Sequence, residues 1–285
     1  MLIDAHHHLW RIARNDYGWL TPDEGFLYRD YVPEHFKPIL DAHDIARAVV
    51  IQAAPSLAET EFLLSLTDAH PYLGAVVGWV DFADRNTPQT LDQFSAHPKF
   101  RGVRPMIQDI AEDTWMLREE LSGTFVALAE RGLSFDALIQ PRHLATLIEL
   151  VSRYPSLRVA INHCGKPEVR AWQVGNADFN AWQAGMTELA RHPNVFCKLS
   201  ALPTRAAPGW TAETFSPYVD VLLTAFGPTR LMWASDWPIL ERNGRYDDWF
   251  HVARALLPES THADVFGATA KSFYRIDQVC PRAVA

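Results

Sequence analysis

Eight short apolar runs recur along the chain, at residues 2–8, 46–52, 74–80, 101–107, 133–140, 157–163, 195–200 and 230–236. Each is rich in Val, Ile, Leu, Phe or Trp and bounded by Gly, Pro, Asn or Asp, as strands buried on both faces are. Between them apolar residues recur at helical spacing, over 58–70, 117–131, 143–154, 179–191, 213–226 and 246–257, and a last helical stretch covers 263–274. Eight strand-then-helix units predict an α/β fold, a single (β/α)8 TIM barrel with residues 1–285 as one domain. The roughly 35 residues between the first two runs are long for a barrel loop. They carry Trp10, Tyr17, Trp19, Phe26, Tyr28, Tyr31 and Phe36. Such a loop is either a lid over the catalytic end or a packed excursion with a short helix after Pro33.

Composition narrows the partners. A chain of 285 residues fits one such barrel, which takes ~250. With 26 basic and 34 acidic residues the net charge is −8, and no basic run breaks the pattern. That argues against nucleic acid or an anionic membrane as partner. No apolar run exceeds strand length, so no helix is expected to span a membrane. The first strand begins at Leu2, which leaves no room for a signal peptide. The three cysteines, Cys164, Cys197 and Cys280, show no metal-like spacing and suggest a reducing compartment. A cytoplasmic location is expected. Nothing in the chain bears on oligomeric state.

Barrel enzymes carry their chemistry at the C-terminal ends of the strands. There the first run delivers His6 and His8, which share a face because strand side chains alternate. Two imidazoles so placed can grip one metal ion or one carbonyl oxygen. The third run delivers Trp79 and Asp81, the fourth Arg104, the fifth Gln140, the sixth His163, the seventh Lys198 and Ser200, and the eighth Asp236. First and last strands of a closed barrel are neighbours, which sets Asp236 beside His6 and His8. Each residue has an ordinary explanation alone: a core histidine, a salt bridge, a helix cap. Several polar groups converging on one end of apolar strands are costly to bury without a shared purpose. His7 faces the helix layer and reads as structural. Cys164 and Cys197 point away from the site by alternation and read as core thiols.

The phrases Asp4-Ala5-His6-His7-His8-Leu9-Trp10, Gly78-Trp79-Val80-Asp81, Gly102-Val103-Arg104, Asn162-His163-Cys164-Gly165-Lys166-Pro167, Cys197-Lys198-Leu199-Ser200 and Ser235-Asp236-Trp237-Pro238 resemble the amidohydrolase superfamily. They are most similar to its lactonase branch, whose members hydrolyse fuconolactone, rhamnonolactone, 4-sulfomuconolactone and 2-pyrone-4,6-dicarboxylate. The likeness runs from residue 4 to about 274. It implies hydrolysis of a small lactone, most simply a sugar (aldono- or aldaro-) lactone. Asp236 would activate water, and His6, His8 and His163 would polarise the carbonyl directly or through a metal. Arg104, Lys198 and Gln140 would bind hydroxyls or a carboxylate, and Trp10, Trp79 and Trp237 would stack on the sugar. Binuclear members bridge two metals with a Lys on strand four or a His on strand five. Arg104 and Gln140 stand there instead, so at most one divalent ion is implied, on His6, His8 and Asp236, with or without His163. Zinc suits those donors, no organic cofactor is implied, and members of this branch are known to dispense with the metal. Asn162 stands where the branch often has Asp. The alternatives the resemblance leaves are a muconolactone- or pyrone-type lactonase and a zinc-dependent decarboxylase.

Overall fold

A computed structural model describes residues 1–277. Cys280 and the last residues of the expected domain lie outside the described residues. All eight strands are present: β1 (Leu2–His7), β2 (Ile45–Ile51), β3 (Leu73–Gly78), β4 (Phe100–Val103), β5 (Ser134–Ala137), β6 (Arg158–Ile161), β7 (Val195–Leu199) and β8 (Leu231–Trp233). They pair in parallel and in chain order, β1 through β8. The barrel closes just beyond β8. The Asp236 N–H donates to the His6 carbonyl at 2.9 Å, and the His8 N–H donates to the Trp237 carbonyl at 2.8 Å. Asp4 seals the seam by accepting the Ser235 N–H at 3.0 Å.

Between strands run α1 (Pro33–Ala42), α2 (Leu57–Ala69), α3 (Thr87–Ser95), α4 (Ser122–Glu130), α5 (Leu144–Arg153), α6 (Ala177–Leu189), α7 (Leu202–Arg205), α8 (Ala212–Phe226), α9 (Tyr246–Leu256) and α10 (Thr269–Phe273). The helix expected over 117–131 starts later, because tight turns at Trp115–Leu117 and Glu119–Leu121 precede α4. The stretch 263–274 divides into a π-helical turn, Asp264–Ala268, and α10. There Gly267 lets the chain start come close: a Cβ at this glycine would collide with the Met1 carbonyl oxygen. No helix among the described residues is long and apolar enough to cross a membrane.

The barrel interior holds Ile3, Ala5, Val49, Ile51, Ala75, Val77, Ala160, Met232 and Ala234, closed below by Phe273, Tyr274 and Ile276. Each fully buried aliphatic side chain contributes roughly 1.5–3 kcal/mol. A second, larger apolar layer lies between strands and helices. In β1 the register slips between Asp4 and His7. Strict alternation would face His6 away from Ala5, but the slip lets His6 and His8 enter the interior that Ile3 and Ala5 occupy lower down. The same slip turns His7 outward, stacked on Phe36 of α1 with ring centroids 4.3 Å apart, the helix-layer position expected for it. The loop after β1 packs on the barrel, with Trp10, Leu27, Tyr31, Phe36 and Leu40 fully buried, while its Trp19 and Glu24 reach the catalytic end.

Candidate active site

The C-terminal ends of the strands open into a cavity of about 280 Å³. His8, His163, Arg104 and Asp236 line it, with His6 directly behind. The Nε2 atoms of His6, His8 and His163 stand 3.6, 3.4 and 3.8 Å from Asp236 Oδ1. One carboxylate oxygen is thus ringed by three imidazoles, all four side chains being almost fully buried.

Local backbone sets this arrangement. His163 (φ 55°) and Asp236 (φ 62°) both sit in the left-handed region, where a residue with a side chain costs on the order of 1 kcal/mol or more. The turn after β6 spends four residues in that region, His163, Cys164, Gly165 and Lys166. The sharp reversal aims both His163 and Lys166 at the cavity. Cys164 and Cys197 are buried free thiols, as expected.

Partners behind the rings fix their orientation. His8 Nδ1 lies 2.9 Å from the Ile51 carbonyl, which only accepts. The proton is therefore on Nδ1, and Nε2 presents a lone pair inward. His163 Nδ1 meets Ser200 Oγ at 2.9 Å, and His6 Nδ1 meets Lys198 Nζ at 3.2 Å. Burial pushes all three imidazoles below their ordinary value; nearby cations add to this for His6, beside Lys198, and for His163, beside Lys166. Burial alone would raise the Asp236 carboxyl, but His163, His8 and Lys166 outweigh it and hold it at about 2. At neutral pH the cluster is one carboxylate among three neutral rings. That donor set suits a divalent metal: ligand atoms of His6, His163 and Asp236 lie within 4.8 Å of one another, and His8 Nε2 stands beside the same carboxylate, 3.4 Å from Asp236 Oδ1. His163, offered by the sequence as an optional further ligand, belongs to this group.

The other expected residues are placed differently. Arg104 reaches the cavity: its Nη2 donates to the Gln52 carbonyl, Nη1 lies 3.4 Å from His6 Nε2, and Nε has no partner among the described residues. Burial lowers this guanidinium to about 10. Lys198 does not line the cavity. It lies buried behind His6 and donates to Asp136 Oδ2 at 2.6 Å. Its carboxylate partner holds it, so it positions His6 rather than touching a ligand. Gln140 is also off the cavity, because β5 ends at Ala137 and the chain has turned before residue 140; its Oε1 accepts from Arg142 Nε at 3.0 Å. Trp10 and Trp237 are buried among Tyr31 and Phe36 and give their N–H groups to the Arg29 carbonyl and Glu241. Trp79 does not line the cavity, and its backbone bonds Thr60. Among the described residues the one tryptophan on the wall is Trp19, pinned by its N–H to the Ala53 carbonyl at 2.7 Å.

Sequence reasoning missed Asp136, which accepts from Ser134, Lys198, Tyr274 and Asn162 at 2.9, 2.6, 2.8 and 3.3 Å. Two polar residues two apart, Ser134 and Asp136, inside an otherwise apolar run were the available signal. It also missed Lys166, Gln108 and the Glu24–Arg242 ion pair at the cavity mouth.

A sequence profile of the family described as Amidohydrolase matches residues 3–276. A protein of Burkholderia ambifaria named L-fucono-1,5-lactonase is 39% identical, the match covering 97% of this chain and 96% of that one. Another of that name, from Burkholderia multivorans, is 30% identical over 97% and 96%. An amidohydrolase crystal structure from Burkholderia multivorans with bound zinc superposes with a TM-score of 0.89 at 29% identity, covering 97% of this chain and 99% of that one. A profile match over nearly the whole barrel, with a relative this similar end to end, leaves no ambiguity of family: the chain belongs to the amidohydrolases.

Proposed function

We propose that the chain is a lactonase that opens the ring of a small, neutral sugar lactone. One observation carries this reading: an ionised Asp236 ringed by three neutral imidazoles, facing a small-molecule cavity beside Arg104. The two relatives named L-fucono-1,5-lactonase support the substrate class and a six-membered ring. Charge supports it further. The cavity wall carries Arg104, Lys166 and Arg242 against Glu24, Asp109 and Asp236, with its histidines neutral. A wall without surplus positive charge suits an uncharged sugar ring better than a dicarboxylate such as a pyrone acid.

In this mechanism Asp236 accepts a proton from water as the water oxygen bonds to the acyl carbon. A carboxylate held at about 2 is a weak base, so proton transfer accompanies bond formation rather than preceding it. Arg104 donates to the carbonyl oxygen as charge gathers there. When the tetrahedral centre collapses, the ring C–O bond breaks and Asp236 returns the proton to the departing ring oxygen. The products are a hydroxyl group and a carboxylic acid, which ionises. His6, His8, His163 and Asp236 would hold a divalent ion, zinc by donor type, which when bound supplies Lewis-acid polarisation. Lys198, Ser200 and the Ile51 carbonyl keep the rings from turning.

The test is a panel of five- and six-membered aldono- and aldarolactones in a pH-indicator assay. Acid release well above the spontaneous rate for six-membered neutral sugar lactones is the expected result. Release from none of the panel would refute the reading.

A further inference from the structure

Lys166 and Gln108 face the same cavity from the loops after β6 and β4, and the mechanism above uses neither. Lys166 Nζ donates to Gln108 Oε1, its one hydrogen-bond partner among the described residues, and forms no ion pair there. Asp236 and Asp109 lie near enough to favour this ammonium but make no ion pair with it, so its remaining hydrogens have no direct acceptor among the described residues. The Gln108 backbone is anchored independently: its N–H donates to the Leu138 carbonyl at 3.1 Å, and its own carbonyl accepts from Arg142 at 3.2 Å. The amide is therefore held by its main chain. With its oxygen engaged by Lys166, its two N–H groups have no partner among the described residues.

The pair thus presents N–H donors to the cavity: the remaining ammonium hydrogens and the amide hydrogens. We infer that Lys166 and Gln108 are specificity-determining residues that read the hydroxyl groups of the lactone ring away from the acyl carbon. Hydroxyl oxygens accept from these donors; a ring of methylenes leaves them unpaired. This rests on the lactonase reading, and it goes beyond it by naming what separates a sugar lactone from a plain one. The charge balance of the wall selects hydroxyls over a carboxylate, since Asp109 and Asp236 already offset Arg104 and Lys166.

The test compares kcat/KM for a six-membered sugar lactone and for δ-valerolactone, which has the ring but no hydroxyls. It uses the wild-type protein and the variants Lys166→Met, Gln108→Leu and Lys166→Arg. Hydrogen bonds involving a charged group set the scale, so Lys166→Met is expected to cut the sugar-over-valerolactone ratio by about 10- to 100-fold. Gln108→Leu should cut it less, and Lys166→Arg should restore part of it. A ratio unchanged in Lys166→Met, with both substrates losing equally, would overturn the inference in favour of a structural or proton-donating lysine. So would a wild-type preference for a carboxylated lactone that Lys166→Met abolishes. If Lys166→Met does not fold, an unchanged ratio in Gln108→Leu overturns it alone. A wild-type protein that opens valerolactone and sugar lactones equally well sinks this inference and leaves the lactonase standing; one that opens neither sinks the lactonase reading itself.

Discussion

At the scale of the residue, the site works by separating charge from protonation. Four buried side chains crowd one point, yet only Asp236 carries charge at neutral pH. Three imidazolium ions there would be prohibitively expensive to desolvate and would repel one another. Neutral rings can orient, accept or ligate, and Asp236 keeps its negative charge where a proton must be received. The left-handed backbone at His163 and Asp236 is the local cost of pointing both at that centre. Asp236 is held against it by its N–H to the His6 carbonyl, so first strand and last share the strain.

At the scale of the element, strand packing fixes how far each side chain reaches. Between β4 and β5, Gly102 pairs with Ser134. A Cβ at Gly102 would come 2.6 Å from the Ser134 carbonyl oxygen, a backbone atom that cannot move aside. Gly102→Ala should therefore cost about 2–4 kcal/mol of stability, seen as a lower melting temperature. A variant as stable as the parent would show that the two strands are less tightly apposed. The same strands explain what was legible in the chain. The eight strands could be read because each is buried on both faces and turn residues punctuate them. His6, His8, His163 and Asp236 could be read because the first and last strands of a barrel must meet. Reach was not legible. Where β5 stops at Ala137 and the chain turns, alternation ceases to apply, so Gln140 was expected in a cavity it does not enter. Lys198 was expected to face a ligand because nothing in its own strand shows that Asp136 lies one neighbour-but-one away in the sheet. Trp10 and Trp237 looked like sugar platforms, but the excursion after β1 needed them to pack against Tyr31 and Phe36. α3 went unread because Thr87–Ser95 is mostly polar.

At the scale of the whole molecule, buried titratable groups pull stability in opposite directions with pH. His6, His7, His8 and His163 all resist protonation in the fold, so below the ordinary imidazole value of 6.5 only the unfolded chain takes up those protons. Stability from these four is present above 6.5 and lost as pH falls. Asp4 and Glu59 act the other way: burial raises them to about 6 and about 7, so the fold keeps their protons longer and loses stability as pH rises through those windows. The lowered imidazoles, His143 among them, outnumber the two raised carboxyls, so the net dependence takes the sign of the histidines. The melting temperature should be several degrees higher at pH 7 than at pH 5. A maximum at pH 5 would mean that the histidine cluster takes up protons without unfolding.

The most direct test of the account is acid release from a six-membered sugar lactone by the wild-type protein and by Asp236→Asn. The amide preserves the shape of the site and removes the charge that receives the proton. Wild-type turnover well above the spontaneous rate is expected, with a kcat at least about 1,000-fold lower in the variant and the lactone still bound. A variant that turns over at close to the wild-type kcat would contradict it.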